Sequence, residues 1–327
     1  MREELVVVGA GPAGCAAAVQ AMRLGLRPRL LDATGAAGGL LPNARRIENY
    51  PGLEPLSGIA MVERLRAHLE RFGLRVERMR VTRVTADGAG NPLDGPHLET
   101  DAGAIEALRV ETGAGVIAAR CAILAVGTRP RLLPLPGVAD LVGRHVFYEV
   151  RDLLRALPAP RRVLVIGGGE AALDYALTLA EAGARVTIVT RGRDFKAVGW
   201  LASQAMEHPS IGHVGGIEAT GLRWVGESVQ LDAPSTEHVL TADAALIAVG
   251  RESRLGDLLP PPWPRPPAIG PMGDASPGGP ATVCTGIPGL LVAGDARTGE
   301  LGQLGIAVGD GLTAAMEAAA YLEQRRA

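Results

Sequence analysis

"LVVVGAGPAGCAAAVQAMRLGLRPRLLDA", residues 5–33, decides the fold. An apolar segment leads through clustered glycines into an alanine-rich stretch, and a second apolar segment ends on Asp32. Strand, glycine turn, helix and strand in that order form a βαβ unit, whose crossover is right-handed almost without exception. Gly9, Gly11 and Gly14 occupy the GxGxxG positions, with Pro12 and Ala13 before the last. The first glycine makes the turn, the second lets backbone approach a pyrophosphate, and the third lets helix meet strand. Phosphates then sit on the free N–H groups and positive dipole end of the helix. Asp32, 23 residues after Gly9, stands where a carboxylate binds a ribose diol. A lone glycine turn would be weak evidence. Flanking strands and a placed acid make it a dinucleotide site.

Residues 162–191, "RVLVIGGGEAALDYALTLAEAGARVTIVTR", repeat the plan. Gly167, Gly169 and Ala172 give the GxGxxA form, with Glu170 opening the helix. The equivalent ribose position is Thr190, which offers no carboxylate, and Arg191, Arg193 and Lys196 follow. A missing acid beside cations fits a 2′-phosphate, so NADPH is expected there in preference to NADH. The competing reading of those cations is a solvated basic loop. Two such units imply two dinucleotide sites.

Outward from these units, residues 81–124 alternate β-rich pieces with glycine turns and read as an antiparallel meander. "GLRWVGESVQL" reads as a hairpin and "DAALIAVG" as a buried strand. Residues 251–280 read as a proline-rich loop, and a strand ("GLLVAGDA") and a helix close the chain. The expected architecture is α/β, with two Rossmann-like dinucleotide-binding domains, each three-layered. Residues 1–128 and 249–327 would form one discontinuous domain, and 129–248 the domain inserted in it.

The 327 residues suffice for two domains, and a 47% hydrophobic share excludes a largely disordered chain. Aromatics are only 3%, so the cores must be aliphatic. A formal net charge of -2 gives no reason to expect nucleic acid or an anionic membrane as partner. The sequence enters its first strand without a charged-then-apolar leader, and no apolar run approaches the ~18 residues of a membrane span. The expectation is a soluble cytoplasmic protein. Cys15, Cys121 and Cys284 form no CxxC, so neither a disulfide framework nor a zinc site is expected. Each reads as a buried structural cysteine.

Three further stretches carry a resemblance. "GGLLPNARRIENYPG" (residues 38–52) resembles the flavin-side motif of the low-molecular-weight thioredoxin reductases. "AILAVGTRPRLLPLPG" is similar to the segment where their chain leaves the flavin domain, and "IPGLLVAGDARTGELGQLGIAVGDG" to their C-terminal flavin motif. The resemblance covers essentially the whole chain in order. It implies FAD in the first site, a nicotinamide nucleotide in the second, and a homodimer. It also implies flavin contacts at Gly39, Leu40, Asn49, Gly127, Gly294, Asp295, Gln303 and Leu304. Asp295 would hold the ribityl chain, and backbone near Gln303 and Leu304 would meet the pyrimidine end. Leu40 stands where the family commonly has glutamine.

One departure governs function. Thioredoxin reductases carry a CxxC shortly before the second glycine turn. Here that region reads "HVFYEVRDLLRALPAP", without cysteine. The thioredoxin-reductase-like ferredoxin–NADP reductases also lack the pair. They have a similar "GGGxxAxDxAL" helix, matched by "GGGEAALDYAL", and an aromatic stretch ending in acid, resembling "VFYEVRD". Their usual C-terminal segment with a ring on the flavin has no counterpart after "YLEQRRA". The expected activity is electron transfer from NADPH through FAD to an external acceptor, foremost a one-electron protein such as ferredoxin or flavodoxin. The alternatives are direct reduction of a small disulfide or quinone, and a non-enzymatic nucleotide-binding regulator. No catalytic residue is named. His145, Tyr148 and Glu149 are expected near the vacated cysteine positions, where Tyr148 could cover the ring and His145 or Glu149 relay a proton. Arginines 129, 131, 191 and 193 are candidates for a basic docking surface.

Overall fold

The computed structural model describes residues 2–87, 107–196, 199–234, 239–259, 283–285, 287–299 and 302–325. The first βαβ unit is β1 (Glu3–Val8), α1 (Pro12–Arg23) and β2 (Pro28–Asp32), followed by α2 (Gly58–Arg71) and β3 (Val76–Arg78). Three antiparallel strands come next: β4 (Val81–Asp87), β5 (Ala107–Thr112) and β6 (Gly115–Leu124). After β7 (Thr128–Pro130) and α3 (Val138–Leu141), a second body holds β8 (Val146–Phe147), α4 (Val150–Ala156), β9 (Arg162–Ile166), α5 (Glu170–Glu181), β10 (Arg185–Val189), α6 (Gly199–Glu207) and β11 (Ile211–Val214). It continues with β12 (Gly221–Val225), β13 (Ser228–Asp232), β14 (Leu240–Ala242) and β15 (Ala244–Ile247). The chain then returns through β16 (Arg251–Ser253), α7 (Leu255–Leu258), β17 (Leu290–Val292), α8 (Asp295–Thr298) and α9 (Leu304–Gln324).

Both ends of the chain share one seven-stranded sheet, ordered β3-β2-β1-β6-β5-β4, with β17 also on β6. Strand β6 serves both parts of that sheet. Its first half pairs antiparallel with β5 (Leu108 opposite Ala119), and its second half pairs parallel with β1 (Leu5 opposite Cys121) and β17 (Leu290 opposite Ala122). Alternating residues of β1 are buried on both faces, as a covered parallel strand requires. Leu5 and Val7 pack toward α1 and α9, while Val6 and Val8 pack with Val84, Leu108 and Val110. The middle of the chain builds a five-stranded parallel sheet, β11-β10-β9-β15-β8. Val163 and Val165 face α4, α5 and α6, and Leu164 and Ile166 face the antiparallel β12-β13-β14 layer.

The two βαβ units match in detail. Helix α1 ends at Gly25 (φ 81°) and α5 at Gly183 (φ 93°). In each, the residue after the glycine donates back five residues, Leu26 to Ala21 and Ala184 to Leu179, both at 3.0 Å. That is a Schellman ending, which needs a left-handed residue best supplied by glycine. Helices α1 and α9 lie so close that a Cβ at Gly311 would stand 2.1 Å from the Ala13 carbonyl oxygen.

The expected meander, hairpin and buried strand are present as β4–β6, β12–β13 and β15. The stretch read as a loop from 251 needs correction: its first part forms β16 and α7, because it pairs back on β7 (Arg251 opposite Pro130, Ser253 opposite Thr128). Its proline-rich remainder, 260–280, lies outside the described residues. The antiparallel β7–β16 ribbon carries both crossings of the chain between the two sheets. Among the described residues no helix is long and apolar enough to cross a membrane.

Candidate functional site

The first glycine turn is built by close backbone contacts. Gly9 has φ 102°, and a Cβ there would lie 2.3 Å from the Ala125 carbonyl oxygen. A Cβ at Gly14 would lie 1.8 Å from the Gly9 carbonyl oxygen, so the helix starts directly on the turn. Asp32 braces it from the next strand, accepting from the Ala10 N–H (3.0 Å) and from the N–H and hydroxyl of Thr34 (2.8 and 2.6 Å). Gly38 donates to Ala10 (2.8 Å), and a Cβ on Gly39 would come within 3.0 Å of the Gly11 Cα. The Gly38–Gly39 pair therefore backs onto the turn. Leu40 is half-buried beyond it, before the short helical turn Leu41–Asn43.

Two features fit a flavin dinucleotide. Helix α1 starts at Gly11 with no side-chain cap and with Pro12 in its first turn, whereas Ser57 caps α2 by accepting from Ala60 (3.2 Å). The N–H groups at the start of α1 are thus left for an anion. The carboxylate of Asp295, which follows β17, has no hydrogen-bonding partner among the described residues, although its backbone carbonyl accepts from the Gly299 N–H. Burial raises its carboxyl above the ordinary aspartate value, partly offset by Arg251, with Asp310 pushing the same way as burial. A half-buried acceptor without a donor suits a ribityl hydroxyl. The preceding Gly294 (φ 71°) donates to Asp310 (3.0 Å), and Arg297 grips the same carboxylate at 3.0 and 2.6 Å. Gly127 (φ 63°) marks the point where the chain leaves β6 for the ribbon, and accepts from Arg254 (3.2 Å).

The second turn follows the same physics. A Cβ at Gly167 (φ 139°) would meet the Ala248 carbonyl oxygen at 2.1 Å. Gly169 starts α5 without a side-chain cap, and space beside it is open. Ala172 is fully buried against the sheet. Thr190 is buried, and its hydroxyl donates to Gly192 (2.8 Å) and pairs with His213 Nε2 (2.7 Å). That hydroxyl is thus committed inside the protein, and burial lowers the His213 pKa against the opposing charge of Asp194. Arg191, Arg193 and Lys196 are exposed around it, with the Lys196 N–H on the Gly168 carbonyl (2.8 Å).

The start of α5 is tied to the first body. Asn49 donates to Gln303 (2.7 Å), and Gln303 donates to Glu170 (3.0 Å), the first residue of α5. Leu304 packs beside them with Leu41, Ile47 and Met61.

The segment where the dithiol would lie is rebuilt. His145 stacks on Trp224 with ring centroids 3.7 Å apart, and Tyr148 accepts from the Leu133 N–H (3.2 Å) within the core of the second body. Neither ring covers the first site. Glu149 is the hub: one carboxylate oxygen accepts from Asn43 (2.9 Å) and Tyr175 (2.7 Å), the other pairs with Arg251 (2.7 Å). A carboxylate with three donors is a structural tie rather than a proton shuttle. Burial first, then Glu149, pushes the Tyr175 hydroxyl well above its ordinary value. Of the basic candidates, Arg129 is held by Glu252 and Asp257 (2.7 and 2.6 Å).

Two of the three cysteines are buried and inert as expected, whereas Cys284, expected to be buried, is not fully covered. Cys15 donates to the Ala10 carbonyl (3.2 Å), and burial, reinforced by Asp32, pushes its thiol up to about 12. Burial likewise lifts Cys121 to about 12. Cys284 is half-buried beside Leu291.

Sequence reading missed the contacts between the bodies. Arg45, Asn43, Asp174 and Arg251 sit in or beside motifs, but their partners lie 102 to 159 positions away. No local pattern could reveal them.

Comparison with known proteins gives a consistent result. Residues 3–258 match the family described as pyridine nucleotide-disulphide oxidoreductase. A thioredoxin reductase from Listeria monocytogenes is 27% identical, over 98% of this chain and 94% of the relative. A bifunctional thioredoxin reductase/thioredoxin from Mycobacterium leprae is 28% identical over 98% of this chain, which spans 66% of that protein's length. Ferredoxin–NADP reductase 1 from Cupriavidus necator is 31% identical, over 78% of this chain and 73% of the relative. Among solved structures, Lactococcus lactis thioredoxin reductase in the FR conformation superposes with a TM-score of 0.81, at 26% identity, covering 99% of this chain and 100% of that one.

Proposed function

Because the chain belongs to the pyridine nucleotide-disulphide oxidoreductase family, we propose that it is an FAD-dependent oxidoreductase carrying electrons from NADPH to an external acceptor without a protein dithiol. FAD and NADPH serve the thioredoxin reductases and ferredoxin–NADP reductases it is similar to. In this reading Asp32 holds the ribose of FAD, the uncapped start of α1 its pyrophosphate, and Asp295 its ribityl chain. The uncapped start of α5 takes the pyrophosphate of NADPH, and Arg191, Arg193 and Lys196 its 2′-phosphate. Bound there, the flavin supplies two-electron acceptance from the nicotinamide and release in one or two steps, chemistry no side chain provides. The protein's own part is alignment, exclusion of water and electrostatics.

The observation that carries this reading is the Asn49–Gln303–Glu170 bridge, which ties the first residue of the second site's helix to the loop and α9 start that line the first site. The two buried thiols, raised to about 12, offer no relay. A one-electron protein such as ferredoxin or flavodoxin is therefore the favoured acceptor, in keeping with the name of the Cupriavidus relative. The Listeria relative's name supports a second reading, a disulfide reduced directly. Anaerobic stopped-flow absorbance tests both. NADPH is expected to bleach the oxidised flavin band faster than NADH does. Reoxidation by ferredoxin or flavodoxin supports the first reading, and reoxidation only by a disulfide the second. A flavin band left untouched by either nucleotide overturns the proposal.

A further inference from the structure

We infer that Arg45 is the positioning residue that fixes the angle at which α5 presents the second nucleotide turn to the first. The inference deepens the function proposed above and rests on its assignment of the two sites. Arg45 belongs to the loop after the first body's glycine pair, yet among the described residues the partners of its N–H and side chain lie on the second body. Its backbone N–H donates to Asp174 (2.9 Å), and its Nε stands 3.7 Å from the same carboxylate. Its Nη1 pairs with Glu181 (2.7 Å) and its Nη2 donates to Gln204 (2.9 Å). Asp174 and Glu181 are seven residues apart on α5, two turns along one face. Gln204 is on α6. A planar guanidinium with several donors in a rigid fork can hold three partners at fixed directions, which a lysine cannot. The side chain is only 14% exposed.

The surrounding loop supports the grip. Asn43 reaches Glu149 at the start of α4 (2.9 Å), and Glu48 accepts from Trp200 on α6 (3.3 Å). One short loop thus touches α4, α5 and α6 at once. The chain connects the bodies only through the β7–β16 ribbon, so connectivity alone leaves an angle free. Arg45 acts nearest the helix whose first residue meets Gln303. An error of about 1 Å in such an alignment can cost on the order of 10²-fold in rate.

The test compares wild type with Arg45→Ala, Arg45→Gln and Arg45→Lys, and with the Glu181→Gln/Gln204→Ala double variant, which leaves Arg45 itself in place. Anaerobic stopped-flow gives the limiting rate of flavin bleaching by NADPH. Titration with adenosine 2′,5′-bisphosphate, which fills only the second turn, reports that site independently of alignment. Loss of Arg45 is expected to lower the limiting rate at least tenfold, with FAD content and bisphosphate affinity within twofold of wild type. Arg45→Lys should recover part of the rate, and the double variant should fall between. Small-angle scattering of Arg45→Ala and Arg45→Gln should show a wider spread of overall dimensions than wild type. An unchanged limiting rate, or a loss matched by equal losses of FAD and bisphosphate binding, overturns the inference. If wild type is not bleached at all, the functional reading has failed instead. The scattering comparison then still decides, and dimensions identical to wild type reject the role of Arg45.

Discussion

Asp174 shows how one side chain can be both a contact and a liability. It accepts from Arg45, but burial, with help from Glu181, outweighs the arginine and raises its pKa from 3.8 to about 6. A carboxyl whose folded pKa exceeds its unfolded value of about 3.9 holds an extra proton only in the native state between those values. Stability therefore falls as pH rises from about 4 to 6 and is flat in this component above. Asp174→Asn is expected to remove that fall, worth on the order of 2 kcal/mol between pH 4.5 and pH 7, when urea midpoints at those two values are compared. A second single-residue expectation concerns Arg191 and Lys196. Their double alanine variant should weaken NADPH relative to NADH by about 10- to 100-fold, since a charge-assisted hydrogen bond contributes roughly 1.5–3 kcal/mol. Flavin-reduction titrations with each nucleotide measure the ratio. At this scale the glycine positions and Asp32 were legible, because a positive φ or a strand-end acid leaves a local mark. The committed hydroxyl of Thr190 was not, because its partner His213 arrives from β11, 23 residues later.

At the scale of elements, α1 and α9 form the tightest joint. Ala17, Ala18 and Ala21 lie in one core with Ala314, Ala315 and Ala318, and Gly311 meets the Ala13 carbonyl where a Cβ would clash at 2.1 Å. Alanine and glycine are there because the helix that opens the first site must lie against the one that closes it. Gly311→Ala should lower stability by about 1–3 kcal/mol, the range for overpacking, and speed FAD loss, because α1 is displaced at its phosphate-binding end. The exposed control Thr313→Ala should change neither thermal midpoint nor FAD retention. The elements themselves were readable from period and punctuation. Segment β16 was not, since prolines follow it closely and its partner β7 lies 123 residues away. The rebuilt segment at 145–149 could be seen to lack cysteines, but the tying role of Glu149 depends on Asn43, Tyr175 and Arg251.

The whole molecule has separate cores around two sheets, joined among the described residues by the β7–β16 ribbon, the polar contacts of the loop 43–49 and the Gln303–Glu170 bond. Two cores imply two unfolding units, and a ligand stabilises the unit that binds it by RT ln(1 + [L]/Kd). Calorimetry of FAD-free protein is expected to resolve two transitions. FAD at a hundredfold excess over its Kd should stabilise one of them by about 2.7 kcal/mol and leave the other near its original temperature. The duplicated βαβ plan made this division visible in the chain, whereas the angle between the halves required contacts that no pattern encodes. The ribbon has one more implication. Pro130 and Arg251 face each other across it, so the middle of the chain departs and returns through a single doorway. Splicing a two-residue turn between them would leave an ordinary β-hairpin at the edge of the flavin-side body. The intervening piece is thereby a cassette: it can be lifted out, exchanged for the corresponding piece of a relative, or grafted elsewhere, with only one pair of strands to re-register.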